Sequence, residues 1–169
     1  ELLDRNLSIT ESIVGSLSST RFNGILLIVS NPVDILTYVA WKVSGYSVER
    51  VIGSGTVLDT SRLQNFLSEK CDVNPHNIHG YVLGEHGNTS FPAWSTISIG
   101  GLTLTQYISA RKDLQMQLPK IKEEAKTYVR EAAYAIIKGK GSTFYAIAQA
   151  VGVIVESIIR NERRILPVS

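Results

Sequence analysis

Apolar and polar positions along the first 45 residues follow two different periods, which predict a helix, a strand and a second helix. Between residues 3 and 18, apolar side chains recur at the spacing of an amphipathic helix. The continuous apolar run at residues 24–29 contains β-branched side chains and is typical of a strand buried on both faces in a parallel sheet. Ser30-Asn31-Pro32 ends this run, because a residue before proline avoids the helical region, and helical spacing then resumes until Gly45. In open α/β sheets ligands bind at the carboxyl ends of strands, so Ser30 and Asn31 are predicted to lie at a site.

The remainder of the chain predicts further helices and strands in a mixed order. A strand at residues 78–83 leads into the motif Gly84-Glu85-His86-Gly87, whose glycines allow unusual backbone angles around the histidine. The last helix is predicted to be capped by Ser142 or Thr143. The other predicted elements are a short strand at 50–53, a helix at 57–71, a strand at 95–99 that turns at Gly100-Gly101, and a long helix at 119–138.

Composition and charge indicate a soluble globular protein and exclude several classes. The 169 residues are 44% hydrophobic and 19% charged, which is typical of a chain that buries a core. The formal charge of +2, without a basic run, gives no signature of nucleic-acid binding. The longest apolar runs, of about six residues, are too short to span a membrane. The single cysteine, Cys71, cannot form an internal disulfide, which favours a reducing, cytoplasmic environment.

Three short motifs supply an amide, a carboxylate, a guanidinium and an imidazole. They are Asn31-Pro32-Val33-Asp34, Asp59-Thr60-Ser61-Arg62 and Gly84-Glu85-His86-Gly87. Each has an ordinary explanation when taken alone. Asp59 and Arg62 share a helix face and form a local ion pair worth under about 1 kcal/mol, and a single histidine is more often structural than catalytic. Together the motifs provide the groups needed to hold a small anionic substrate and to move one of its protons.

Metal and phosphate-loop chemistry have weaker signals. Cys71, His76 and His79 lack a fourth ligand at zinc-binding spacing, so no metal site is predicted. The segment Gly139-x-Gly141-Ser142-Thr143 follows a helix rather than a strand, unlike a P-loop. Gly53-Ser54-Gly55-Thr56 lacks the third glycine of a dinucleotide fingerprint.

In order and spacing, the three motifs, together with Val51-Ile52-Gly53-Ser54-Gly55-Thr56, closely resemble the L-lactate dehydrogenases, and the bacterial type best. Ala133-Tyr134-Ala135-Ile136-Ile137 and Lys140-Gly141-Ser142-Thr143-Phe144-Tyr145 resemble later helices of the same family. The resemblance implies an α/β fold, with the C-terminal part of an NAD-binding Rossmann parallel sheet at residues 1–52 and an α+β catalytic domain at residues 53–169. It also implies NAD as cofactor, pyruvate and L-lactate as substrates, and a cytoplasmic homotetramer that acts in glycolysis and fermentation.

The resemblance assigns a role to individual residues. His86 matches the proton donor and acceptor, Asp59 the carboxylate that orients it, and Arg62 the guanidinium that binds the substrate carboxylate. Asp59, Arg62, Asn31 and Thr143 match substrate contacts. The cofactor contacts implied are Ser12, Val29, Ser30, Asn31, Ser54 and Ile147.

The chain departs from the family pattern in several places. The glycine-rich phosphate-binding turn, the acidic ribose anchor and the loop arginine that polarises the ketone are absent, so we expect a fragment that lacks the N-terminal half and the C-terminal end. Asn88 stands where the family usually has aspartate. His79 matches a histidine that contacts fructose 1,6-bisphosphate in many bacterial members, but Gln64 replaces the partner arginine, which argues against activation by that sugar.

Two alternatives stay open from the sequence. One is a related 2-hydroxy acid dehydrogenase that acts on malate or a branched hydroxyacid, although Thr143 after Gly141-Ser142 resembles the lactate type. The other is a non-catalytic fragment used in assembly, against which the intact set of Asn31, Asp59, Arg62 and His86 argues.

Overall fold

The computed structural model describes residues 2–169, which form two compact units. Among the described residues, one unit comprises 2–55 with Val168–Ser169, and the other comprises Thr56–Pro167. The assignment of residues 1–52 to a cofactor domain and of 53–169 to a catalytic domain stays a prediction. Within residues 2–169, no helix combines the length and the apolar character that crossing a membrane requires.

The first unit has the predicted helix–strand–helix order. Its elements are α1 (Leu2–Ser18), β1 (Leu26–Ile28), α2 (Val33–Ser44) and β2 (Val51–Gly53). Strands β1 and β2 pair in parallel, with Leu26 opposite Val51 and Ile28 opposite Gly53. Helix α2 ends at Gly45, whose φ of 67° lies in the left-handed region that glycine adopts without a steric cost. Val14, Ala40 and Val51 form the centre of the small core.

The expectation that the first strand is buried on both faces is wrong for the described residues. All of β1 is only half-buried, and the adjoining Ile25 and Val29 are 40% and 37% exposed. The physical reason is that β1 pairs with a single strand, β2, within residues 2–169. A strand of a parallel sheet is covered on both faces only when helices and neighbouring strands surround it.

The second unit combines helices with short antiparallel strands around one apolar core. Helix α3 (Val57–Cys71) packs against α5 (Leu118–Lys140). Leu63 and Leu67 of α3 and Ile121 of α5 are among its fully buried residues. The other elements are β3 (Ile78–His79), β4 (Val82–Leu83), β5 (Phe91–Pro92), β6 (Ser98–Ile99), β7 (Leu102–Thr103), α4 (Leu104–Ala110) and α6 (Tyr145–Ile159).

The strand predicted at residues 78–83 is divided at Gly80. Its first part, β3, pairs with β6, which pairs in turn with β7, whereas its second part, β4, pairs with β5. Gly80 has a φ of 147°, and a Cβ atom there would lie 2.7 Å from Cγ1 of Ile97. The break therefore directs β4 away from the three-stranded sheet, toward the loop that carries His86.

Two features of the helices differ from the prediction. Helix α4 was not predicted, although Thr103 and Gln106 form a capping box at its start. The expected cap of the last helix by Ser142 or Thr143 is wrong, since α6 begins after Phe144 without a side-chain cap. Seven residues are too short for a clear helical period, which explains why α4 was missed.

Candidate active site

The start of α3 places a carboxylate and a guanidinium side by side. Asp59 lies in the first turn of the helix, where the positive end of the helix dipole stabilises a negative charge. Arg62 lies three residues further on, and its Nη1 donates to Oδ1 of Asp59 at 3.1 Å. Both side chains are largely buried, at 6% exposure for Asp59 and 11% for Arg62. The local ion pair expected from their spacing is present, and its burial separates it from an ordinary surface pair.

Two buried threonines fix strand β4 against the start of α3. The hydroxyl of Thr56 donates to the carbonyl oxygen of Val82 at 2.6 Å. The hydroxyl of Thr60 accepts from the amide nitrogen of Val82 at 3.0 Å. These two hydrogen bonds fix the position of β4, which leads to His86, relative to α3, which carries Asp59.

The turn after β4 depends on Gly84. Its φ of 89° is strained for any other residue, and a Cβ atom there would lie 3.2 Å from the carbonyl oxygen of Thr89. This agrees with the expectation that glycine permits an unusual backbone angle before His86. Gly87 is not among the glycines with a positive φ, so the expectation applies to one side of the histidine only.

His86 completes a three-membered group around one carboxylate. Its Nδ1 lies 2.5 Å from Oδ2 of Asp59, whose other oxygen accepts from Arg62. Because a carboxylate only accepts, Nδ1 carries the proton in this contact, and proton exchange is left to Nε2. A buried carboxylate beside an imidazole also stabilises the charged form of the ring.

The three side chains line one small cavity of about 130 Å³. Cavities for drug-sized ligands measure about 300–1,000 Å³, so this volume suits a molecule of a few heavy atoms. The cavity also contains Asn88, the residue that departs from the family pattern. A small anion in this cavity can contact a guanidinium and an imidazole at the same time.

The structure does not bring Thr143 or Ile147 to this cavity. Thr143 lies between α5 and α6 and lines another cavity, of about 440 Å³, with Lys140 and Phe144. Ile147 is half-buried on α6. Their assignments as substrate and nicotinamide contacts therefore stay predictions.

Four of the expected cofactor residues lie at the carboxyl edge of the parallel pair in the first unit. Val29, Ser30 and Asn31 follow β1 and are exposed, and Ser54 follows β2. The amide of Ser54 donates to the carbonyl oxygen of Ile28 at 2.9 Å, which joins the two strand ends. The fifth residue, Ser12, is exposed on α1. The position of the four residues at this edge agrees with the tendency of ligands to bind at the carboxyl ends of strands in open α/β sheets. Their contacts with a cofactor stay predictions.

The residues weighed as a zinc site have other surroundings. Burial raises the pKa of the Cys71 thiol, which keeps it protonated and a poor metal ligand. His76 and His79 line a cavity of about 580 Å³, together with Gln64 and Arg164. Among residues 2–169, no group of three or more potential metal ligands is present.

Sequence reasoning missed one charged residue of the His86 cavity. Arg130 and Tyr134 of α5 line the cavity, and Arg130 was not among the candidates. The two positions are four apart and therefore share a helix face. This spacing indicates that Arg130 and Tyr134 line the His86 cavity only when the packing of α5 against α3 is known.

Both parts of the chain match one family. Residues 1–53 match the family described as lactate/malate dehydrogenase, NAD binding domain. Residues 56–169 match the one described as lactate/malate dehydrogenase, alpha/beta C-terminal domain. The resemblance read from the motifs is confirmed, as is the mixed α/β fold class.

Individual relatives agree with the family match. The chain is 48% identical over 169 residues to L-lactate dehydrogenase 1 of Listeria monocytogenes. This alignment covers 100% of this chain and 52% of the relative. It is 45% identical over 170 residues to an L-lactate dehydrogenase of Lacticaseibacillus casei, covering 100% of this chain and 51% of the relative. The chain thus spans about half the length of the curated relatives it matches.

Solved structures of similar proteins show the same fold. A lactate dehydrogenase enzyme from a Medee basin deep-sea metagenome library aligns with a TM-score of 0.92 at 44% identity, covering 99% of this chain and 52% of the other. The minor L-lactate dehydrogenase of Enterococcus mundtii aligns with a TM-score of 0.86 at 40% identity, covering 96% and 51%.

Proposed function

Because the chain belongs to the lactate/malate dehydrogenase family, we propose that it forms part of an NAD-dependent L-lactate dehydrogenase. The reaction proposed is reversible hydride transfer between NADH and pyruvate to give L-lactate, with His86 as proton donor and acceptor. The observation that carries the proposal is the carboxylate of Asp59, which contacts both His86 and Arg62 at one small cavity.

The residues at the carboxyl edge of β1 and β2 fit a nucleotide cofactor. Val29, Ser30 and Asn31 are exposed there. Asn6 donates to the backbone oxygen of Asn31 at 2.7 Å, which helps hold this loop. When bound, NADH supplies the hydride. The full set proposed to hold it is Ser12, Val29, Ser30, Asn31, Ser54 and Ile147.

Arg62 is proposed to bind the substrate carboxylate. A guanidinium carries five N–H donors in a planar fork, so one bond to Asp59 leaves donors for a bidentate contact with a carboxylate. Asp59 in turn limits the rotamers of Arg62, which reduces the entropy lost on binding. Asn31 and Thr143 are proposed as further substrate contacts.

His86 is proposed to move the proton at Nε2. The contact with Asp59 holds Nδ1, fixes the plane of the ring and stabilises its protonated form. The protonated ring then gives a proton to the ketone oxygen during reduction. In the reverse direction, the neutral ring accepts the alcohol proton.

Replacing Asp59 with asparagine is expected to change the pH dependence of pyruvate reduction. Without the carboxylate, the protonated ring is less favoured, and reduction requires that form. The decline of kcat at alkaline pH should therefore move to lower pH, because the carboxylate next to Nδ1 favours the protonated ring. Rate profiles of the whole protein between acid and alkaline pH measure the change.

A matched control for this prediction is Asp113→Asn. Asp113 also pairs with an arginine, Arg111, at 2.9 Å, but it lies outside the His86 cavity. Its replacement should leave the profile unchanged. An unchanged profile in Asp59→Asn would remove the carboxylate from the proposed role.

Fructose 1,6-bisphosphate is not expected to activate the protein. Gln64 carries no positive charge, and its side-chain amide donates to the carbonyl oxygen of Ile78 at 3.2 Å. Titrating the sugar at a pyruvate concentration below KM should leave the rate unchanged. A several-fold rise in rate would show that His79 and the other polar residues of its cavity suffice without the arginine.

The proposal extends to a cytoplasmic homotetramer that acts in glycolysis and fermentation. Support for assembly comes from exposed apolar residues on α6, where Tyr145 is 81% exposed and Ile159 is 77% exposed. Sedimentation of the whole protein measures the assembly. Comparing kcat/KM for pyruvate, oxaloacetate and a branched 2-oxo acid tests the substrate, and the proposal requires pyruvate to be preferred.

A further inference from the structure

We propose that Arg130 is a specificity-determining residue of the His86 cavity: its exposed guanidinium draws anionic 2-oxo acids into the cavity by charge and is not a fixed carboxylate partner. This inference rests on the proposed function. Arg130 lines the same cavity as Asp59, Arg62 and His86, but it reaches that cavity from α5 and not from α3 or the His86 loop.

Arg130 gives the His86 cavity an excess of positive charge. Asp59 contacts Arg62 and balances its positive charge, so this pair contributes no net charge. Arg130 therefore carries the remaining permanent charge among the described residues that line the cavity, and the His86 ring adds a second positive charge when it is protonated for reduction. A cleft with an excess of one sign of charge raises the local concentration of ligands of the opposite sign.

Among the described residues, no acidic group forms an ion pair with Arg130. Within residues 2–169, no carboxylate lies within ion-pair distance of its guanidinium, whereas Lys126, one turn earlier on α5, pairs with Glu123 at 2.7 Å. Arg130 also has no side-chain hydrogen bond to another described residue that would fix its orientation, and it is exposed. An exposed charge without a fixed partner attracts an anion without the geometry of a bidentate clamp, which the buried Arg62 provides.

The substitution Arg130→Gln in the whole protein tests the inference. At low ionic strength, kcat/KM for pyruvate is expected to fall about tenfold through KM, with kcat unchanged, because steering acts before the chemical step. Added salt should shrink the difference, since the Debye length falls from about 30 Å at 0.01 M to about 8 Å at 0.15 M. In Arg130→Gln at low ionic strength, kcat/KM should fall further for oxaloacetate, a dianion, than for pyruvate.

Two further variants separate charge from other effects. Arg130→Lys keeps the charge without the planar fork and should behave like the wild type. Lys138→Gln removes an exposed charge from the same helix, outside the His86 cavity, and should also change little.

Several outcomes would overturn the inference. If the wild type reduces pyruvate but Arg130→Gln keeps the same KM and the same salt dependence, the inference fails while the proposed function stands. A loss of oxaloacetate turnover alone, at all salt concentrations, would mean that Arg130 binds a second carboxylate at a fixed position. A fall in kcat with KM unchanged would place it in the chemical step. If the wild type reduces no 2-oxo acid, the proposed function fails and this inference fails with it.

Discussion

Replacing His86 with asparagine is expected to lower kcat for pyruvate reduction by about 10²–10⁴-fold, the usual contribution of a positioned general acid. Asparagine cannot exchange a proton near neutral pH, although its amide can still donate to Asp59. Cofactor affinity should be preserved, since the proposed cofactor contacts Ser30 and Ser54 lie at the ends of β1 and β2. Steady-state kinetics and NADH binding by fluorescence measure the two quantities separately.

The matched control for this prediction is His76→Asn. His76 hydrogen-bonds to Asn74 at 2.9 Å and lines a different cavity, so its replacement should leave kcat unchanged. Normal turnover in His86→Asn would remove the histidine from its role. Loss of NADH binding in the same variant would indicate damage to the structure instead of loss of a proton donor.

The second large effect is expected for Arg62→Lys, which should raise KM for pyruvate about 100-fold. Lysine keeps the charge but cannot form two parallel hydrogen bonds with a carboxylate. One lost hydrogen bond to a charged group costs about 1.5–3 kcal/mol, and each 1.4 kcal/mol corresponds to about tenfold in affinity. Kinetics over a wide range of pyruvate concentration measure the change.

Arg160→Lys is the matched control for this substitution. Arg160, the residue after the end of α6, pairs with Glu156 at 2.7 Å and does not line the His86 cavity. Its replacement should leave KM unchanged. An unaltered KM in Arg62→Lys would refute the carboxylate-binding role.

Local patterns in the sequence were enough to predict most of the long elements. Helix α2 was bounded correctly because Pro32 and Gly45 act on the backbone directly. The pairing of Asp59 with Arg62 also followed from helical spacing alone, since residues three apart share a face. These features depend only on neighbours within a turn or two.

Features set by distant residues could not be predicted in the same way. The position of His86 depends on Val82, which Thr56 and Thr60 hold through hydrogen bonds across more than 20 residues of sequence. The division of the strand at Gly80 depends on the packing of Ile97. Only the packing of α5 brings Arg130 to the cavity, and no local pattern encodes that contact.

Production of L-lactate by the whole protein tests the central claim most directly. The protein is mixed with NADH and pyruvate, and NADH oxidation and L-lactate formation are followed together in the wild type and in His86→Asn. The account predicts equal amounts of NADH consumed and L-lactate formed by the wild type, and little of either with the variant. No pyruvate-dependent oxidation in the wild type, or equal rates in the two proteins, would contradict it.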